Sequence, residues 1–97
     1  MKITTEKKED VCILRVEGDV DTLTAPQLDE AVAGCAPECV KLVLDLGGVE
    51  YISSAGIRSI VKARQQMGGD NFALKNITPN VTDVLKLTGF LKVINIE

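Results

Sequence analysis

The chain has 97 residues, 45% of them hydrophobic and 26% charged, with a formal net charge of −3. That length fits one domain, residues 1–97, and the apolar share excludes a disordered chain. The lysines are scattered, so the basic stripe of a nucleic-acid binder is absent, and no apolar run nears the ~20 residues that cross a bilayer.

Histidine and tryptophan are absent, and aromatic residues make up only 3%. The core is therefore expected to be aliphatic. The first ten residues, MKITTEKKED, are charged and lack the apolar segment of a secretory signal, so a cytoplasmic protein is expected. The three cysteines, Cys12, Cys35 and Cys39, do not suit a disulfide framework, because their number is odd. Without histidine they also miss the common zinc sets, so they read as small hydrophobes and no metal is expected.

In chain order, residues 2–17 read as two strands joined by a polar turn around Lys8–Asp10, the first strand lying at an edge. In TLTAPQLDEAVAGCA, Thr24 and Gln27 have the spacing of a capping box, and Pro26 suits a first helical turn. Leu28, Ala31 and Val32 recur at helical spacing, and Gly34 and Pro37 end that helix. VKLVLDLGG is nearly apolar on both faces, which predicts a central strand with helices on both sides. A helix then follows SSAG, with Ile57, Ile60, Val61 and Met67 inward, and stops at Gly68–Gly69. NFALKNI is a short strand. Thr78, Pro79 and Gly89 frame a third helix whose apolar face carries Val81, Val84, Leu85 and Leu87. LKVINIE closes the chain as a last strand. The order β-β-α-β-α-β-α-β predicts an α/β domain with about five strands, mostly parallel, one antiparallel edge strand and flanking helices.

Sites in open α/β sheets lie beyond the carboxyl ends of the strands. Two loops meet that description. GDVDTLT carries Asp19, Asp21, Thr22 and Thr24, and GGVEYISSAG carries Glu50, Ser53 and Ser54. If their strands are parallel neighbours, the loops lie side by side. One serine serves naturally as a helix N-cap. The second serine, with Ala55 and Gly56, leaves a bare first turn that a macromolecule could approach closely. A nucleophilic serine needs a base, and histidine is absent. The loop carboxylates are too few for a divalent ion, and the phosphate-loop pattern GxxxxGK[ST] is missing.

VKLVLDLGGVEYISSAGIRSIVKA resembles the signature segment of the STAS domain of bacterial anti-sigma factor antagonists. VEGDVDTLTAPQLDEAV resembles the same family's second strand, acidic loop and first helix, so the likeness covers nearly the whole chain. The resemblance implies a switch. An anti-sigma factor with serine kinase activity binds the unphosphorylated protein, frees its sigma factor, and phosphorylates a serine at the helix head. A phosphatase resets the state. The family motif often reads Asp-Ser-[Ser/Thr/Ala]-Gly-Leu. Placed here, Ser53 takes the Asp position, Ser54 is the phosphoacceptor with Ser53 as second choice, and Ala55, Gly56 and Ile57 follow. Asp21 matches an acidic residue near the acceptor. Asp19, Asp21, Thr22, Glu50, Ser53, Ala55, Gly56 and Arg58 form the expected partner surface. No cofactor, direct nucleic-acid contact or membrane insertion is implied. Ser53 in place of Asp is one departure from the pattern. The stop at Glu97, where many members carry a further helix, is another. Two other readings stay open at this point. One is an unphosphorylated STAS accessory subunit of a transporter or lipid-trafficking complex. The other is a nucleotide-binding regulatory module. An enzyme is not expected, for want of catalytic groups.

Overall fold

A computed structural model describes residues 1–97. Strand β1 (Lys2–Lys8) turns through Glu9 and Asp10 into β2 (Val11–Glu17). Then follow α1 (Ala25–Cys35), β3 (Lys41–Gly48), α2 (Ser54–Met67), β4 (Phe72–Lys75), α3 (Pro79–Thr88) and β5 (Asn95–Ile96). Short 3-10 turns at Ala36–Glu38, Gly69–Asn71 and Phe90–Lys92 precede β3, β4 and β5. The α/β architecture and the element order match the sequence expectation.

The five strands lie in the order β1-β2-β3-β4-β5. Strands β1 and β2 are antiparallel, with Thr5 opposite Leu14, and every later pair is parallel. This order never reverses, which decides where the helices go. Right-handed crossovers that always step the same way place every helix on the same face. The core agrees. Cys12, Leu14 and Val16, then Leu42, Leu44 and Leu46, then Phe72 and Leu74 form one cluster with Leu28, Val32, Ile60 and Leu85 of the helices.

The expectation of helices on both sides of β3 is therefore corrected. Val43 and Ala73 are buried on the other face, outside that cluster. Val43 lies between its register partners Ile13 and Ala73, so apolar neighbours within the sheet help to shield it without a helix. Beside that apolar row, Arg15, Asp45 and Lys75 stand in register. Arg15 pairs with Glu6 at 2.7 Å and with Asp45 at 3.7 Å. The Arg15–Glu6 pair is half-exposed and adds little stability; these charges keep an open sheet face wet.

The glycine stops of α2 and α3 follow the predicted signals. Gly68 (φ 89°) ends α2, and Gly89 (φ 82°, left-handed) ends α3, backbone angles that favour glycine. Helix α1 runs through Gly34 to Cys35, so Pro37 rather than Gly34 stops it. Leu87 is 88% exposed and does not belong to the inner face of α3; Val81 and Leu85 do. The cysteines are free, Cys12 buried and Cys35 and Cys39 half-buried. Burial pushes the Cys12 and Cys35 thiols up, towards the protonated and less reactive form.

Candidate functional site

The loop after β2 and the loop after β3 are zipped together by backbone hydrogen bonds. The Gly18 N–H donates to the Gly48 carbonyl (3.0 Å), Val20 to Tyr51 (3.0 Å) and Ser53 to Val20 (2.9 Å). Val20 and Ile52 form an isolated parallel bridge at the centre and are almost fully buried. The parallel pairing of β2 with β3 thus continues past the strands. It brings the acidic loop and the two serines to one end of the sheet, as the sequence predicted.

Within the acidic loop Asp21 is a structural residue. Its carboxylate accepts the N–H groups of Leu23 (2.9 Å) and Thr24 (3.0 Å), while the Asp21 N–H donates to the Thr24 hydroxyl oxygen (2.9 Å). The Thr24 hydroxyl in turn donates to the Asp19 carbonyl (2.8 Å). This is a reciprocal capping box one turn upstream of the predicted one. Thr24 itself has helical angles and caps nothing with its side chain. Its oxygen is already committed, and Pro26, two residues on, has no N–H to offer.

These bonds, the Thr24 N–H first, hold the Asp21 carboxyl below its ordinary value of 3.8. A carboxyl depressed by folding stabilises the native state above its unfolded pKa, and that contribution is lost as pH falls through the folded value. Asp21→Ala is expected to lower the thermal midpoint at pH 7, while Asp21→Asn, which keeps the acceptor oxygen, retains most of it. The gap between wild type and Asp21→Ala should narrow as pH falls below about 3.9. A gap independent of pH in thermal melts would show that the carboxylate does not hold this turn.

At the head of α2 the two serines have different surroundings. Ser53 has extended angles (φ −94°, ψ 177°), and its oxygen accepts the Gly56 N–H in a long bond of 3.5 Å. It is the cap. Ser54 is the first helical residue and is exposed, and no hydrogen bond engages its hydroxyl. The N–H groups of Ser54 and Ala55 face the open end of the helix without a partner, as helix starts require.

Ala55 and Gly56 are not the exposed bare turn expected from their size. Ala55 is 8% exposed and Gly56 is buried. A Cβ on Gly56 would meet Ile52 Cγ1 at 2.5 Å, Val20 Cγ1 at 2.9 Å and the Val20 carbonyl oxygen at 3.0 Å. The small residues let α2 seat against the Val20–Ile52 bridge. They position the serines rather than expose backbone.

The remaining predicted residues divide by place. Asp19, Thr22 and Glu50 are exposed on the two loops. Thr22, Ala55 and Arg58 share a cavity of about 340 Å³ between α1 and α2, together with Asp29, Ser59 and Lys62. Sequence reasoning missed four residues around the site. Leu23, 86% exposed, and Tyr51, 49% exposed, put apolar surface beside the acidic loop. A lone leucine in the polar run GDVDTLT was the available signal. Thr78 donates its hydroxyl to the Val49 carbonyl at 2.6 Å, and the Asn80 side-chain oxygen accepts the Ile52 N–H at 3.4 Å. Both tie the serine loop to the start of α3, a contact no local pattern signals. Thr78 stands at the predicted N-cap position without capping through its side chain.

The STAS domain family model matches residues 2–97. The chain belongs to the STAS domain family. BtrV of Bordetella bronchiseptica, described as a candidate anti-sigma factor antagonist, is 34% identical to this STAS domain over 97 residues, covering 96% of the chain and 83% of BtrV. The anti-sigma-F factor antagonist RsfB of Mycobacterium tuberculosis is 30% identical over 67 residues, 68% of this chain and 55% of RsfB. The crystal structure of an anti-sigma factor antagonist from Mycobacterium paratuberculosis superposes with a TM-score of 0.89 at 26% identity, covering 98% of this STAS domain and 83% of that chain. These two relatives and this structural neighbour are each described as anti-sigma factor antagonists. No helix of this STAS domain is long and apolar enough to cross a membrane.

Proposed function

We propose that this STAS domain is a phosphorylation-controlled antagonist of an anti-sigma factor. In its unphosphorylated form it binds an anti-sigma factor with serine kinase activity and so releases a sigma factor for transcription. The Ser54 oxygen then attacks the γ-phosphorus of the kinase's ATP, the bond to ADP breaks, and the hydroxyl proton passes to a base of the kinase. A phosphatase returns the serine. The domain is substrate and ligand in this cycle, not an enzyme, and it works in the cytoplasm.

The observation that carries this reading is the division of labour between adjacent serines: Ser53 is occupied as a cap, and Ser54 is exposed with a free hydroxyl. A phosphate there sits at a helix N-terminus, where unpaired N–H groups and the dipole favour negative charge, so the fold tolerates it. Asp19 and Glu50 stand on the neighbouring loops and add to the negative charge a partner would meet. Leu23 and Tyr51 supply the apolar contact area that a protein partner needs.

The test is incubation with the candidate kinase and ATP, followed by mapping of the phosphate by mass spectrometry. Phosphate at Ser54, lost in Ser54→Ala, is the expected result. Phosphate persisting at Ser53 in that variant would move the acceptor, and none anywhere would favour a fixed docking role.

A further inference from the structure

Arg58 lies four residues after Ser54 on α2, so the two share one helix face a turn apart. Helical side chains lean towards the N-terminus and cover the turn before their own Cα. The patch beneath the Arg58 side chain is therefore the one that holds Ser54. Both residues are exposed. Arg58 has no carboxylate partner: the ion pairs of the domain are Glu6–Arg15, Arg15–Asp45 and Lys41–Glu97. Arg58 lines the cavity between α1 and α2, together with Ala55 and Thr22. An unpaired, planar cation thus stands one turn from the free hydroxyl.

We propose that Arg58 is a phosphate clamp in cis. Resting on the reading of Ser54 as the acceptor, it gives that switch a second action. Once Ser54 carries phosphate, the Arg58 fork donates two N–H groups to phosphate oxygens, the bidentate geometry that guanidinium and phosphate favour. Before phosphorylation the same cation is free to meet a carboxylate of the anti-sigma factor. Phosphorylation then does two things at once: it adds an anion to the interface and withdraws a cation from it. The modified form is held in one geometry against the helix head rather than left mobile.

The test uses full-length domain with phosphoserine installed at position 54 during translation, which needs no kinase. The ³¹P signal is titrated in wild type, Arg58→Lys and Arg58→Ala. A clamp favours the phosphate dianion, so it holds the second ionisation below its ordinary value near 6. The other charged groups on the adjoining elements are Asp19 and Asp21 on the first loop, Glu50 on the second, Asp29 on α1 and Lys62 on α2, and these are common to all three proteins. Arg58→Ala is expected to raise the midpoint by about half a pH unit, with Arg58→Lys between the two. The difference should collapse in 1 M salt, where charges are screened within about 3 Å. Melts of the unphosphorylated proteins check that each variant folds; an exposed helical arginine leaves them unchanged. Equal midpoints in wild type and Arg58→Ala would overturn the clamp and leave the reading of Ser54 standing. A failure of that reading is seen separately, in the phosphate mapping.

Discussion

Ser54→Asp is expected to bind the cognate anti-sigma factor more than a hundredfold more weakly than wild type, with its thermal midpoint unchanged or slightly raised. The two halves of that result have one cause. A carboxylate at the first position of α2 meets unpaired N–H groups and the positive end of the helix dipole, worth about 0.3–1 kcal/mol to the fold. The partner meets the same charge as bulk and repulsion on a surface that already carries Asp19 and Glu50. A loss of about 3 kcal/mol in binding is enough for a hundredfold effect. Ser54→Ala, neutral and smaller, should bind like wild type. Isothermal calorimetry with the purified partner measures both, and undiminished binding by Ser54→Asp would sink the charge switch.

Gly56→Ala is expected to destabilise the domain by about 1–3 kcal/mol, although the same change in an open helix would stabilise it by about 1 kcal/mol. The sign turns on space. The added carbon would lie 2.5 Å from Ile52 Cγ1 and 3.0 Å from the Val20 carbonyl oxygen. Ile52 and Val20 are buried, at 2% and 0% exposure, and the Val20 carbonyl is held by the Ser53 N–H. Nothing there is the free end of a flexible chain, so α2 must move out. For a domain of this size each kcal/mol shifts the midpoint by about 4–8 °C. Because Ser53 and Ser54 ride on the same turn, partner binding should weaken with stability. A melt of Gly56→Ala at or above the wild-type midpoint would show that helix and bridge are not in close contact.

The site was partly legible before the fold was known. That two acidic and serine-bearing loops meet followed from strands that had to be parallel neighbours, and the Val20–Ile52 bridge joins them. The roles within the loops were harder to read. Serine, threonine and aspartate all cap helices, so sequence spacing cannot say which one does. The hydrogen bonds assign the caps to Asp21 and Ser53, which leaves Thr24 as the reciprocal partner and Ser54 free. Ala55 and Gly56 read as an exposed turn because small residues suit both close packing and open approach. Only the neighbours distinguish the two, and here they are Val20 and Ile52.

By itself the sequence determined the element types and their order. Periodicity, proline and glycine act locally, within one turn or one strand, and need no partner to be read. It also carried the resemblance to the STAS domain, through GDVDT and SSAG at their spacing. Which face of the sheet is covered was decided by tertiary structure alone. Val43 is as apolar as Leu42 and Leu44, but it faces away from the helices because the strand order never reverses. Which serine is free was decided there too. A cap is a hydrogen bond between particular atoms, and a free hydroxyl is defined by what its neighbours have already taken.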